Sequence, residues 1–152
     1  MQTDKAAEQS LKQQLAKHHM RITHVRLEIF RKLHIANQPL SIQDIAKRIK
    51  TAHFVSVYRS VDSMSKAGIL KLVPQGFKNL YELSDIFMPH HHHATCKVCG
   101  KTKEIHDDRI EVLMRNLAIG AGLKPTEHQF ELFGICKSCQ ELTREPKQGQ
   151  NQ

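Results

Sequence analysis

Apolar residues recur at helical spacing through most of the first half of the chain. Ala7, Leu11 and Leu15 stand four apart and predict a first helix ending near His19; the polar residues 1 to 10 are expected to fray. Val25, Leu27, Ile29, Phe30 and Leu33 predict a second helix, which Thr23 is placed to cap. Asn37-Gln38-Pro39 interrupts the pattern. Ser41 followed by Asp44 has the form of a capping box, and Ile42, Ile45, Ala46 and Ile49 then fall at i, i+3, i+4 and i+7, a short third helix. After a tight connection at Lys50 to Ala52, the stripe Phe54, Val57, Tyr58, Val61 and Met64 predicts a fourth helix that Gly68 ends. Its other face carries His53, Ser56, Arg59, Ser60 and Ser63, small or hydrogen-bonding groups that suit entry into a groove. Two short helices joined by a tight turn, the second with such a face, predict a helix-turn-helix. Strands at Ile69 to Val73 and Phe77 to Leu83, around Pro74-Gln75-Gly76, form a hairpin placed as a wing.

The second half changes period. Asp85 to Pro89 reads as a hinge, followed by strands at about 92 to 97 and 101 to 106 joined by a Cys-x-x-Cys-Gly knuckle. Ile110, Leu113, Met114, Leu117, Ala118 and Ala121 predict an amphipathic helix stopped by Gly122, with Pro125 just beyond. Residues 126 to 135 alternate and lead to a second Cys pair. Three strands and one helix make a thin layer, whose open face or edge is expected to meet a second copy. The tail from Arg144 reads as disordered. The expected class is α+β: a winged helix-turn-helix over 1 to 84, a hinge over 85 to 89, a small α/β domain over 90 to 143 and a disordered tail over 144 to 152.

Charge sharpens this division. Residues 1 to 83 hold 14 Lys and Arg against 6 Asp and Glu, while residues 84 to 152 hold 9 against 9, so the whole excess of +8 lies in the first half. That asymmetry points the N-terminal part at a polyanion. With 5% aromatic residues and no Trp, recognition of single strands by stacking has little material. No signal peptide and no apolar run near 18 residues are present, so a reducing cytoplasm and no membrane association are expected.

In that compartment the four cysteines read as metal ligands rather than disulfides. Cys96-Lys97-Val98-Cys99 and Cys136-Lys137-Ser138-Cys139 each offer two thiolates from one turn, together the four that tetrahedral zinc takes. The 36 intervening residues require an element pair between the half-sites. Short disulfides, redox motifs and buried apolar thiols are the other readings. Just upstream stand His90-His91-His92-His93. In an extended segment His91 and His93 share one face and His90 and His92 the other, each pair about 6.6 Å apart, so one strand can feed two metal sites. A solvated His-rich linker is the alternative.

Taken together these residues resemble the ferric uptake regulator family of bacterial metal-responsive repressors. The resemblance covers about residues 10 to 140: Arg21-Ile22-Thr23-His24-Val25-Arg26, Val57-Tyr58-Arg59, Lys66-Ala67-Gly68-Ile69, Tyr81-Glu82-Leu83, the histidine run and both Cys pairs. It implies a homodimer with an N-terminal winged helix and a metal-binding α/β dimerisation domain over 90 to 143, binding AT-rich palindromic operators in double-stranded DNA when loaded with metal. Ser56, Tyr58 and Arg59 are then the candidate DNA contacts, Tyr58 competing with a place in the core. The implied regulatory metal ligands are Glu82, His91, His93 and Glu104, and a second site comprises His90, His92, Glu111 and His128. Pro39 departs from the pattern, because many relatives place a His ligand there; His34 is the nearby candidate substitute. Mixed nitrogen and oxygen ligands suit Fe(II), Mn(II) or Zn(II). With all four cysteines in the structural zinc site, Fe(II) or Mn(II) sensing is preferred over a zinc-uptake or peroxide-responsive role.

Two other classes compete. A zinc hydrolase would use the histidines around an open coordination position, but the chain lacks a His-Glu-x-x-His helix and a nucleophile with a base, so no enzyme is expected. A zinc-ribbon adaptor or metal store would leave the basic helix-turn-helix unexplained.

Overall fold

The computed structural model describes residues 5–36, 38–75, 78–126 and 128–143. The expected tail over 144–152, the first four residues, and Gly76 and Phe77 of the hairpin lie outside the described residues. The chain divides into two compact units, 1–90 and 91–152.

In the first unit α1 (Lys5–Lys17), α2 (His24–Ala36), α3 (Ile42–Arg48) and α4 (Phe54–Lys66) surround one core. Leu11, Leu15, Ile29, Phe30, Ile45, Val57, Val61 and Met64 are fully buried there. Residues 5 to 10 are helical instead of frayed, because Leu11 and Leu15 anchor α1 and Glu8 Oε1 accepts from Arg31 Nε at 2.7 Å. Thr23 Oγ1 caps α2 by accepting from Arg26 N at 3.3 Å. Ser41 Oγ accepts from Asp44 N at 3.1 Å and donates to the Asp44 carboxylate at 2.6 Å, closing its box through the hydroxyl. The stripe on α4 is narrower than its spacing suggests. Phe54 and Tyr58 are about half exposed, at 50% and 51%, because only Val57, Val61 and Met64 point inward.

β2 (Leu70–Gln75) and β3 (Lys78–Leu83) form the antiparallel hairpin, pairing Leu70 with Leu83 and Leu72 with Tyr81. A two-residue strand absent from the sequence reading, β1 (Leu40–Ser41), adds to β3 and gives the order β1-β3-β2. It ties the start of α3 to the wing.

The second unit consists of β4 (His92–Cys96), β5 (Thr102–Ile105), α5 (Asp108–Gly120), β6 (Glu131–Gly134) and α6 (Lys137–Thr143). β4 is central, antiparallel to β5 and parallel to β6. A parallel neighbour demands a crossover, and α5 with its flanking loops supplies it. The last strand is shorter than the alternation over 126 to 135 suggested, and α6 was not foreseen. Asp107 caps α5, accepting from Arg109 N, and the Arg109 guanidinium beside it holds its carboxyl down at about 2. At the other end Gly122 N donates to Ile119 O and Leu123 N to Ala118 O, both at 2.9 Å, with Gly122 at φ +74. This left-handed C′ position is one that a side chain would strain. No residue of α5 is buried: Leu113 and Leu117 are 56% and 60% exposed. A thin sheet cannot cover such a helix by itself.

Candidate metal centres and nucleic-acid interface

The end of β4 turns through the knuckle because Gly100, at φ +71, lets its N–H reach Cys96 O at 2.9 Å while Cys96 N donates to Lys101 O. Lys97 N donates to Gly134 O at 2.9 Å, which brings the end of β6 alongside. Cys136 then precedes α6 and Cys139 lies in its first turn. The parallel placement of β6 therefore brings two half-sites 40 residues apart together: Cys136 N donates to Cys96 Sγ at 3.3 Å, and Cys99 Sγ lies 3.8 Å from Cys136 Sγ. All four sulfurs lie within 4.8 Å of one another, and none is in a disulfide.

The chemistry of this cluster fits zinc. Four sulfurs about 2.3 Å from a central ion would lie about 3.8 Å apart in a tetrahedron. The N–H groups of Cys136 and then Cys99, donated to its sulfur, hold Cys96 down at about 6, well into the thiolate range near neutrality. Cys139 is pushed up to about 12, first by its hydrogen bond with Cys136 and then by burial. Cys96 thus ionises readily while Cys139 resists, a resistance that a divalent cation among the sulfurs would relieve.

β4 supplies imidazoles to both faces of its sheet. On one, His92 Nε2 is 2.8 Å from Glu111 Oε1, and His128 Nε2 is 3.3 Å from Glu111 Oε2. The carboxylate of α5 thus joins a strand histidine to a loop histidine whose rings are 5.2 Å apart, with Phe130 edge-on to His92 at 5.5 Å. His92 is buried. His90, at the end of the first unit, has its Nδ1 2.6 Å from Asp85 Oδ2, a neighbour the sequence reading had not singled out.

On the opposite face the rings of His91 and His93 meet edge-on at 4.9 Å. Glu104 faces His93 across β5, and Glu131 faces it across β6, with His93 Nδ1 3.4 Å from Glu131 Oε1. His106 also belongs here, 3.3 Å from Glu104 and 5.9 Å, ring to ring, from His91. Glu131 and His106 were missed, although His106 stands two residues from Glu104, the spacing at which strand residues share a face. Glu82 lies on β3 of the first unit, opposite Lys71. His34 stacks on Phe30 at 5.8 Å with an interplanar angle of 11°, which gives that ring a packing role.

The three candidate DNA contacts, Ser56, Tyr58 and Arg59, are all exposed on the N-terminal half of α4. Tyr58 does not join the core. Beside them Phe54, expected within the apolar stripe, and Val55 are 50% and 57% exposed and form an apolar strip at the surface. Ser63 turns away: its hydroxyl donates to Ser60 O, and Arg26 Nη2 approaches it at 3.4 Å. No described helix is long and apolar enough to cross a membrane.

Comparison with known proteins bears on the family and the fold. Residues 17–133 match the model of the ferric uptake regulator family. The ferric uptake regulation protein of Escherichia coli K12 is 33% identical over 128 residues, covering 80% of this chain and 85% of that protein. Among solved structures, the Vibrio cholerae ferric uptake regulator is 29% identical with a TM-score of 0.71, over 83% of this chain and 99% of that one. A zinc uptake regulator complexed with zinc and DNA is 26% identical with a TM-score of 0.61, over 92% and 98% respectively.

Proposed function

The chain belongs to the ferric uptake regulator family of metal-responsive transcription regulators, which bind DNA as dimers and are not enzymes, and we propose that it represses metal-uptake or homeostasis genes in response to Fe(II) or Mn(II). The observation that most supports this reading is the strand β4, which carries histidines to two faces and ends in the thiol cluster. Cys96, Cys99, Cys136 and Cys139 would hold a structural zinc. Glu82, His91, His93 and Glu104 would hold the regulatory ion, and His90, His92, Glu111 and His128 a second one. Such an ion supplies concentrated positive charge that neutral imidazoles and carboxylates from separate elements share.

Glu82 belongs to the wing hairpin and would be the ligand that the wing contributes to the regulatory ion. Pro39 offers no ligand, so the imidazoles of the regulatory site are those of His91 and His93. Metal loading favours the arrangement in which paired α4 helices enter successive major grooves of an AT-rich palindromic operator, with Ser56, Tyr58 and Arg59 against the DNA. Metal and operator then strengthen each other's binding by the same factor. Because the thiols are consumed by the structural cluster, the regulatory site is made of nitrogen and oxygen donors, which favours iron or manganese over a thiolate-based zinc sensor. The protein acts as a homodimer in the cytoplasm.

The test is to titrate Mn(II), then Zn(II), into full-length protein retaining its Cys-bound zinc and to follow anisotropy of labelled DNA from its own upstream region. Binding should appear at micromolar metal and vanish in Glu82→Ala and His91→Ala. Tight binding without added metal would overturn metal activation.

A further inference from the structure

The register of the second sheet lines up more ligand chemistry on one face than the four residues assigned above. His93 stands opposite Glu104 and His92 opposite Ile105. One step further along this antiparallel ladder, His91 comes opposite His106. Residues two apart on a strand share a face, and so do directly opposed residues. His91, His93, Glu104 and His106 therefore project from one side of β4 and β5. The side chains agree: His106 Nε2 is 3.3 Å from Glu104 Oε2, and its ring lies 5.9 Å from that of His91. The His106 side chain is 57% exposed, so it is not there to fill a core.

We propose that His106 is a further ligand of the regulatory centre and biases which metal that centre takes; the inference rests on reading His91, His93 and Glu104 as that centre. Two imidazoles on one ion, each about 2.1 Å from it, have ring centroids roughly 4.5 to 5.5 Å apart. The 4.9 Å between His91 and His93 lies in that range. The exposed His106 ring, 5.9 Å from that of His91, lies just outside it. With His106 this face of the second unit offers three imidazoles beside the carboxylates of Glu104 and Glu131, and His106 restores the imidazole that Pro39 does not supply. A third imidazole shifts the donors toward nitrogen, which favours Fe(II), Co(II) and Zn(II) over Mn(II), a metal that prefers oxygen donors. His106 thus tilts the site away from manganese.

The experiment uses full-length protein with its Cys-bound zinc, carrying His128→Ala to silence the opposite face. Co(II) and Mn(II) affinities are measured by competition with a fluorescent chelator, together with the Co(II) absorption bands. His106→Ala should weaken Co(II) at least about tenfold, a loss of the size that even an outer partner of a ligand can cause. Mn(II) should weaken by less than that, the Co(II) bands should shift, and His106→Gln should not restore them. Unchanged Co(II) affinity and bands in His106→Ala, with His91→Ala abolishing binding, would overturn the role of His106 alone. Recovery in His106→Gln would overturn it too, by reducing His106 to a hydrogen-bonding support for Glu104. Unaltered binding in His91→Ala would refute the centre and this inference together.

Discussion

Leu113→Ala combined with Leu117→Ala should separate two copies of the chain while leaving each folded. These side chains are 56% and 60% exposed on α5, a helix with no buried residue. Burying a whole leucine side chain is worth about 1.5–3 kcal/mol, so covering the exposed portion contributes about 1–2 kcal/mol, of which alanine forfeits most. A twofold interface uses every residue twice. The double variant should therefore lose about 3–5 kcal/mol of association, or roughly two to four orders of magnitude in dimer Kd at about 1.4 kcal/mol per factor of ten. Sedimentation equilibrium over a wide concentration range reads this directly, with zinc content and far-ultraviolet circular dichroism as controls. An unchanged Kd would mean that the exposed face of α5 lies outside the contact between the two copies. Lost zinc or helix signal with the dimer intact would contradict the exposure argument, because it would mean that both leucines support the single chain.

Three further outcomes follow from other parts of the molecule. Arg59→Ala should weaken operator binding by about 1–3 kcal/mol if the contact is to a base, with unchanged melting and metal content; equal affinity by anisotropy would remove α4 from the interface. Cys139→Ser should abolish stoichiometric zinc and melt the second unit before the first, because zinc binding and folding are one equilibrium there; a colorimetric zinc assay and residue-resolved exchange would show otherwise if the thiols were merely packed. For Glu28, burial alone raises the carboxyl, but the Arg31 hydrogen bond and the charges of Lys32, Arg31 and His24 outweigh it and bring the group below its ordinary 4.5. Its stabilisation is thus complete above about pH 4.5 and lost as pH falls through the lower folded value. Glu28→Gln should lower the melting temperature of the first unit at pH 6, and the difference should close on acidification; a gap that stays constant with pH would reject the ion-pair account.

The sequence by itself determined the helices and most strands, because burial periodicity and capping are local. Thr23, Ser41 and Gly122 mark boundaries through hydrogen bonds to residues a few positions away, and strand alternation alone assigned His91 and His93 to one face and His92 to the other. It also supplied four thiols in two half-sites. What it left open depended on contacts between distant segments. That Tyr58 faces outward was decided by how α4 rolls on the core, which a stripe broad enough to include Phe54 could not settle. The β1 strand is too short to have a period and exists because β3 offers it an edge. The addition of Glu131 and His106 to the His91 face required the register of β4 against its two neighbours. Strand register is set by hydrogen bonds between segments far apart in the chain, and the tertiary structure alone decides which ligands finally meet.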